Sequence, residues 1–474
     1  MLSASELVYE SATSLRRRIA VKEVSPRELV DGFLRRIEQL DPRVNSYLYV
    51  AADRAAGAAR RAEQAVMDAE DLGPLHGVPF AVKDNFETQG IETTCGSPRI
   101  LRGNVPVRSS TVVERLESAG AVLLGKLHMP EFASVEHHPD TPPARNPWDL
   151  ARSPGGSSSG SAIAVAAGLA TATLGTDAVA SIRFPAAWCG VVGFKPTWGM
   201  VSRAGVFPFA VSLDHVGPLT RTVPDAALVL HCIAGPDSRD RSALPNGAIR
   251  SEPLPRENFA GIRIGWDESY VTTEAEPEVV TVARAALDAM LALGAEVKPI
   301  ELPSVHSALS AFTGVFAVEM RSAHVRFYPE RADDYTPSLR ETLALVSGFD
   351  PLRYVDASVR ARAFRSQIDY LFDQIDVLLC PVAPSAATLL TGDHRRTSDV
   401  PQDSSGNPFY PFRYTCLWNL AGAPAVSLPW GFTAGGLPLA VQLVGRRRAD
   451  DVLLSIAARL EAEAPDASRR PPLA

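Results

Sequence analysis

Cysteine is scarce in this chain of 474 residues, and its five copies form no CxxC pair. An odd number of scattered cysteines excludes a disulfide scaffold and a zinc ribbon, and it suits a reducing compartment, so we expect a cytoplasmic protein. Long apolar runs are also absent, since the best candidate, 162–175, is shorter than the roughly 18 residues of a membrane-spanning helix. Glu6 and Glu10 precede the first arginines, the reverse of a secretory signal. These absences predict no membrane association.

Positive charge is not in excess either. The chain carries 47 Lys and Arg against 54 Asp and Glu, a formal charge of −7, whereas general binding to a phosphate backbone needs a concentrated basic face. We therefore expect no nucleic-acid partner. His128 and the His137-His138 pair lack carboxylate or cysteine ligands at known spacing, so no metal site is predicted. What the chain does have is 46% hydrophobic residues, enough for the core of a globular enzyme.

Local patterns alternate between helix and strand. Ser25 and Pro26 predict a helix start, and apolar residues keep helical spacing until Pro42 predicts its end. In residues 77–83 (GVPFAVK) every second side chain is large and apolar, which predicts a strand that ends on Lys83. The same alternation returns further along the chain and is typical of an α/β protein.

A glycine- and serine-rich segment, residues 153–161 (SPGGSSSGS), has the most unusual composition of the chain. Glycine-rich turns that open a helix present free backbone amides, which attract negative charge. A phosphate-binding loop would end in Gly-Lys-Ser/Thr, and no lysine stands here. A nucleophile elbow is formally present, because residues 156–160 match GxSxG, but no strand precedes them and no downstream histidine has a supporting pattern. The third alternative couples this segment to Lys83 and to residues 175–185.

Together these segments resemble the amidase signature enzymes. The resemblance rests on GVPFAVKDN, NPWDLARSPGGSSSGSAIAVAAG, GTDAVASIRFPAAWCGVVGFKPTWGMVS and SLDHVGPLTRTV, and it continues through DVLLCPVAP, NLAGAPAVSLPWGF and GLPLAVQLVGR. It implies an α/β fold, a single large domain with a mixed central β-sheet covered by helices on both sides. The expected parts are N-terminal helices packing on the core (1–70), the signature core with the catalytic residues (71–230), a variable helical and loop region shaping the substrate pocket (231–420), closing strands and a helix (421–464), and a flexible tail (465–474).

The resemblance places a Ser-Ser-Lys triad on Lys83, Ser157 and Ser181, the last standing 24 residues after Ser157. A serine hydroxyl is a weak nucleophile and needs a base beside it. Lysine has a reference pKa of about 10.4, so it is a base near pH 7 only where burial keeps it neutral. The implied reaction is attack of Ser181 on an amide carbonyl while Ser157 relays the proton to Lys83, followed by hydrolysis of the acyl-enzyme. It requires no cofactor.

The resemblance also implies an oxyanion hole formed by the backbone N–H groups of Ala178, Val179, Ala180 and Ser181. Here the chain departs from the family, whose usual turn is Asp-Thr-Gly-Gly-Ser, because Asp177 is followed by Ala-Val-Ala. Since β-branched Val179 tolerates a positive φ poorly, we expect a shifted turn or a reshaped pocket.

Three residues are expected to support the site. Ser158 helps to orient the triad, while Asp177 and Arg183 are buried charged partners that hold the turn. In the family the Gly156-Ser157 peptide is cis. Aromatic residues near these segments predict a pocket for an apolar or aryl group. The candidates are Trp188, Phe207, Phe209, Phe316, Tyr414 and Trp418.

The resulting prediction is a serine amidohydrolase that cleaves C–N bonds of linear amides, extending to esters or carbamates. Two alternatives remain open as enzymes: a carbamate (urethane) hydrolase, and the glutamine-hydrolysing subunit of a tRNA-dependent amidotransferase, which would need partner subunits. The altered turn also leaves open a non-enzymatic binding module. For the main prediction, the expected partner is a small-molecule amide or carbamate, and the chain is expected to act alone or as a homodimer.

Overall fold

The computed structural model describes residues 4–390, 406–466 and 468–473. Its strands are β1 (Tyr47–Val50), β2 (Pro79–Lys83), β3 (Val122–Leu127), β4 (Ala172–Asp177), β5 (Val192–Lys195), β6 (His215–Thr220), β7 (Arg263–Trp266), β8 (Glu296–Pro299), β9 (Val377–Pro381), β10 (Ala425–Phe432) and β11 (Pro438–Gly445). Residues 391–405 of the predicted variable region lie outside the described residues.

The helices surround these strands along the whole described chain. They are α1 (Ala4–Leu7), α2 (Ala12–Ala20), α3 (Pro26–Val44), α4 (Ala52–Met67), α5 (Thr111–Ser118), α6 (Ser159–Ala166), α7 (Arg183–Cys189), α8 (Val223–Ile233), α9 (Glu268–Thr272), α10 (Pro277–Ala292), α11 (Val305–Ala323), α12 (Pro337–Val346), α13 (Pro351–Leu371), α14 (Arg413–Ala421) and α15 (Asp450–Glu461). Single 3-10 turns lie at Glu131–Ala133, Ala332–Asp334 and Tyr410–Phe412. None of the helices in the described ranges combines the length and apolar character needed to cross a bilayer.

These strands form one sheet in the order β1-β3-β2-β4-β6-β5-β10-β11-β9-β7-β8. β2 runs parallel to β3 and β4, whereas β4 runs antiparallel to β6, so the sheet is mixed. Every residue of β2, β3, β4, β6 and β9 is buried. Because side chains alternate between the two faces of a strand, both faces of this sheet are covered. The predicted fold, a single large α/β domain with a mixed sheet covered on both sides, is confirmed.

The parallel pair β2 and β4 positions the candidate site. In this pair Phe80 lies opposite Ala172 and Val82 lies opposite Leu174, so both strands end at the same edge of the sheet. Lys83 ends β2, as predicted, and Asp177 ends β4. Crevices outside the carboxyl ends of parallel strands are where α/β proteins place their ligands.

The first long helix extends further than the sequence pattern predicts. Ser25 caps α3 by accepting a hydrogen bond from the Glu28 amide, as expected. Pro42 does not end the helix, which continues to Val44. A proline in the last turn removes one N–H donor only, and the chain beyond is tied back because the backbone amide of Ser46 donates to the Asp41 carboxylate at 2.7 Å.

The described part of the C-terminal tail makes contacts with the N-terminal part of the chain. Leu473 is buried, and its carbonyl oxygen accepts a hydrogen bond from Arg43. The guanidinium of Arg470 lies 4.0 Å from the centroid of the Tyr9 ring. The described part of the tail therefore packs on the N-terminal helices, through contacts between positions too far apart in the chain for a local pattern to reveal.

Candidate active site

The end of β2 delivers Lys83 into the interior between two loops. Its side chain is fully buried, with Nζ 2.8 Å from Ser157 Oγ and 2.9 Å from Thr176 Oγ1. Burial penalises the charged ammonium and lowers the pKa of Lys83 to about 7, while the carboxylates of Asp177 and Asp214 act in the opposite direction. At this pKa the amine is a proton acceptor near neutral pH, which is what the predicted mechanism requires.

Ser157 and Ser181 both line one cavity of about 330 Å³. The Gly156-Ser157 peptide is cis, and the next amide, that of Ser158, donates to the carbonyl oxygen of Ser181 at 3.1 Å. Ser157 is buried and Ser181 is half-buried. The three predicted triad residues are therefore brought together, with Lys83 behind Ser157 and Ser181 facing the cavity.

Asp177 and Arg183 hold the turn that carries Ser181. The Asp177 carboxylate accepts hydrogen bonds from the Ile182 amide at 3.0 Å and from Arg183 Nε at 3.0 Å, and Arg183 Nη2 lies 2.9 Å from its other oxygen. Both side chains are fully buried. Although burial acts in the opposite direction, the Arg183 guanidinium holds the pKa of Asp177 well below its usual range. The ion pair thus anchors the turn from behind, in the supporting role predicted for both residues.

The backbone N–H groups of residues 178–181 donate no hydrogen bond to any acceptor in the described part of the chain. Free amides beside a nucleophile are the donors that an oxyanion needs. None of residues 178–180 adopts a positive φ, so strain of that kind does not arise at Val179. Instead the Val179 side chain becomes part of the cavity wall beside Ala180. Val179 thus places a side chain where the family's usual glycine would have none, and the predicted reshaping of the pocket stays a prediction.

The remainder of the cavity wall is apolar. Its large side chains come from the segment before β6, from α11 and α12, and from residues 409–412 before α14. They include Phe209, Phe316, Met320, Leu339, Val346, Phe409 and Phe412. Among the described residues that line it, the polar ones are serine and threonine and none is charged. The rings of Phe209 and Phe316 meet edge to face with centroids 5.0 Å apart. This wall suits an apolar group and offers no partner to an ion.

The aromatic residues predicted for the pocket divide into two groups. Phe209 and Phe316 line the cavity, whereas Phe207 lines a neighbouring one. Trp188, Tyr414 and Trp418 do not line either and are core residues instead. Trp188 Nε1 donates to the Ser385 carbonyl and the Tyr414 hydroxyl to that of Val271. Aromatic type alone does not separate pocket from core, because both bury large rings.

Other functional neighbours were not foreseen. Thr176 accepts hydrogen bonds from Lys83 Nζ and from Asn85 Nδ2, the latter at 3.1 Å, so it positions the lysine. Asn419 Nδ2 donates to Asp177 Oδ1 at 2.8 Å from α14, more than 200 residues away in the chain. Thr176 and Asn85 stand within the quoted motifs, so their positions were visible, but their contacts required the fold. Ser158, predicted as a supporting residue, donates to the Thr176 carbonyl at 3.3 Å.

Comparisons with known proteins agree on the family. A family model described as Amidase matches residues 28–454. A glutamyl-tRNA(Gln) amidotransferase subunit from Moorella thermoacetica is 39% identical over 498 residues, covering 99% of this chain and 99% of the relative. A structure described as a bacterial aryl acylamidase of the amidase signature family has a TM-score of 0.88 at 28% identity and covers 97% of each chain.

One prediction is corrected by these relatives. We expected a small-molecule substrate, no nucleic acid and at most a homodimer. The Moorella relative is by name a subunit of a glutamyl-tRNA(Gln) amidotransferase. Another similar structure, with a TM-score of 0.86 and 31% identity over 96% of this chain and 98% of its own, is described as a vestigial protein complex that reveals the origins of an s-triazine catabolic enzyme. The prediction was wrong because net charge averages over a whole surface and does not report on individual contact faces.

The family match spans most of the chain, and the fold and the ordered motifs agree with it. The chain therefore belongs to the amidase signature family, whose members are hydrolases of carbon–nitrogen bonds.

Proposed function

We propose that this protein hydrolyses an amide with an apolar acyl group through an acyl-enzyme on Ser181. The observation that carries the proposal is the 2.8 Å contact between a wholly buried lysine, Lys83, and Ser157, in the wall of a cavity that Ser181 also lines. A nucleophile, a relay hydroxyl and a base with a pKa near 7 are the parts that acyl transfer at neutral pH needs.

In the first step Ser181 Oγ attacks the amide carbonyl, and its proton moves to Ser157 Oγ. Ser157 in turn gives its own proton to Lys83 Nζ, so one proton leaves the nucleophile and one reaches the base. Thr176 holds Nζ by accepting one of its hydrogens, which keeps the nitrogen lone pair available to Ser157. The negative charge that develops on the substrate oxygen is stabilised by the free N–H groups of residues 178–181.

In the second step the C–N bond breaks, and the leaving nitrogen takes a proton from Lys83 through Ser157. Lys83 is neutral again and can accept a proton from the water that attacks the acyl-enzyme. That attack breaks the ester bond to Ser181, whose Oγ takes the proton back from Lys83 through Ser157, and releases the acid. The same three side chains thus serve both halves of the reaction, with no net change in their protonation.

The pocket supports an apolar acyl group. Carbon atoms of the acyl group would contact Phe316 and Met320, at about 25 cal/mol for each Å² of apolar area removed from water. Free glutamine carries an ammonium and a carboxylate, and desolvating either without a charged partner is costly. The Moorella relative is named an amidotransferase subunit and one structural neighbour an aryl acylamidase, and the proposal is confined to amides.

A second candidate is the glutamine-hydrolysing subunit of an amidotransferase that acts with partner subunits on a tRNA-linked substrate. It is favoured by the name of the Moorella relative, which covers 99% of this chain, and the comparisons agree with this alternative better than with the linear-amide prediction. The same triad would then release ammonia from glutamine, and charged groups that recognise its backbone would have to come from outside the described cavity wall.

The experiment that separates the two candidates compares purified wild-type protein with Ser181→Ala on aryl and alkyl amides and on glutamine. Intact mass detects an acyl adduct, and ammonia or amine release measures turnover. The first candidate predicts adduct and turnover with apolar amides at kcat/KM at least about a hundredfold above glutamine, given the cost of burying unpaired charge. Equal or better turnover of glutamine, or co-purification with partner subunits that switch glutaminase on, would favour the second.

A further inference from the structure

A second cavity, of about 210 Å³, lies behind the catalytic lysine. It is separated from the acyl pocket by single side chains. Thr176 lines it and contacts Lys83 Nζ at 2.9 Å, and Phe209 lines both cavities. Its outer rim includes Val211, which is 52% exposed. The cavity therefore leads from the back of the active site towards solvent, by a path other than the acyl pocket.

Two buried polar atoms on the inner wall of this cavity have no hydrogen-bond partner among the described residues. These are Asn85 Oδ1 and His215 Nε2, both on side chains that are 3% exposed. Asn85 directs its NH₂ group to Thr176 instead. His215 Nδ1 lies 2.7 Å from the carbonyl oxygen of Leu213 and must donate its hydrogen there. Burial lowers the pKa of His215 well below its ordinary value, so the ring is neutral and Nε2 is an acceptor.

Asp214 adds a carboxylate to the same wall. It accepts hydrogen bonds from the Phe209 amide at 2.9 Å and the Ala210 amide at 3.2 Å, and no lysine, arginine or histidine nitrogen of the described chain lies within 4.0 Å. Burial raises the pKa of Asp214 to about 6, so it is mainly ionised at neutral pH. A buried carboxylate without a cation is unusual, because buried charges are normally paired.

The other charged side chains of the cavity already have partners. Arg203 lies 3.8 Å from Asp240 and also donates to Ser242 Oγ at 2.6 Å. Arg239 pairs with Glu114 at 2.7 Å. What remains unsatisfied is the negative charge of Asp214, two neutral acceptors and one donor, Arg203 Nε, whose guanidinium is already paired with Asp240. A ligand that complements this set carries a positive charge and several N–H groups, and it must be small.

We propose that the second cavity binds a primary ammonium group, either ammonium itself or a short alkylammonium, with Asp214 as its counterion and Asn85 and His215 as further acceptors. Amide hydrolysis yields one acid and one amine, and at neutral pH the acid gives up a proton while the amine takes one. If the bound cation is the amine product, the inference rests on the proposed function. If the bound cation is ammonium from solution, the inference does not depend on the proposed function.

The first test measures inhibition by ammonium chloride against sodium chloride at equal ionic strength, with an apolar amide as substrate. A cation in the second cavity leaves the acyl pocket free, so inhibition by ammonium is noncompetitive, whereas the acid product is competitive. Asp214→Asn keeps an oxygen for the two backbone amides and removes the charge. It should weaken ammonium inhibition at least about tenfold, because a charge-assisted hydrogen bond is lost. Competitive inhibition by ammonium, or an unchanged inhibition constant in Asp214→Asn, would overturn the proposal.

The second test does not depend on turnover. Ammonium chloride should raise the thermal unfolding midpoint of Ser181→Ala above the value in sodium chloride, and methylammonium should do the same. This shift should disappear with Asp214→Asn added, but persist with Asp369→Asn, which removes a carboxylate already paired with Arg447. A shift without amide turnover in the wild type would refute the proposed function and keep the site. Amide turnover without a shift of the unfolding midpoint would support the proposed function and refute the ammonium site.

A third pair of variants covers the case in which Asp214→Asn fails to fold. Val211 lies on the exposed rim, so both Val211→Arg and Val211→Gln should be tolerated. The guanidinium of Val211→Arg repels a cation at the mouth of the cavity, while the amide of Val211→Gln has similar bulk without charge. We expect ammonium to bind several-fold more weakly to Val211→Arg and with unchanged affinity to Val211→Gln. Equal binding by the two variants would contradict a cation site.

Discussion

The two walls of the candidate active site are built in opposite ways. The polar wall consists of Ser157 and the turn around Ser181. Lys83 and Thr176 lie behind it, and hydrogen bonds between mostly buried groups tie these parts together. The apolar wall, from α11, α12 and the segment before α14, touches the cavity mainly through hydrocarbon. Under the proposed function, the comparison assigns chemistry and substrate choice to different parts of this molecule. Changes in the polar wall should therefore affect kcat, and changes in the apolar wall should affect KM.

The largest expected effect comes from the nucleophile. Ser181→Ala should reduce kcat by about 10⁶-fold, as loss of the serine nucleophile does in other acyl-transfer enzymes, and should abolish the acyl adduct seen by intact mass. Ser338→Ala is the matched control, because Ser338 lines the same cavity on the apolar wall. Persistence of the adduct in Ser181→Ala would place the nucleophile elsewhere.

Removal of the base comes next. Lys83→Met should lower kcat by about 10³-fold, within the range for a positioned general base. In the wild type, kcat/KM should rise about tenfold per pH unit up to about 7 and then level off, because Lys83 is protonated and inactive below its pKa of about 7. A profile that is flat from pH 5.5 to 8.5 would remove Lys83 from the role of base.

The anchor of the polar wall should matter for stability. Arg183→Met leaves the buried Asp177 carboxylate without its cation, which should cost about 3 to 5 kcal/mol of unfolding free energy, measured in a urea titration. Arg263→Met is the control, because its pair with Asp376 is 36% and 30% exposed and should contribute far less to stability. Similar costs for the two variants would show that burial of the Arg183 pair has no special importance.

The smallest effect is expected on the apolar wall. Phe316→Ala should raise KM for an aryl amide about tenfold, through lost apolar contact, and should leave kcat and the reaction of a short-chain amide nearly unchanged. Phe364→Ala, a buried ring on α13 that does not line the cavity, controls for general loss of packing. A fall in kcat with unchanged KM would show that the two walls are not separable.

Parts of this arrangement were predictable from local patterns. The strand that ends on Lys83 follows from two-residue alternation. The ordered motifs predicted the three candidate triad residues, which lie close together, and the buried pair of Asp177 and Arg183. The hydrogen-bond partners of these residues were harder to predict from the sequence. Thr176 was recognisable only as a motif residue, and Asn419 reaches Asp177 from a helix far along the chain. Phe209 and Phe316, the two predicted pocket residues that line the cavity, could not be distinguished from the buried rings by residue type.

Residue chemistry along the chain was enough to specify the elements and the reacting groups, because strand alternation, helix caps and a serine, serine and lysine at fixed positions are properties of short segments. Only folding decided which groups meet and which remain unpaired. The neutral state of Lys83 depends on burial by distant segments, and the lone carboxylate of Asp214 is conspicuous only once the positions of every neighbouring cation are known. Desolvation and pairing are properties of three-dimensional surroundings, so no pattern of neighbours in sequence can report them.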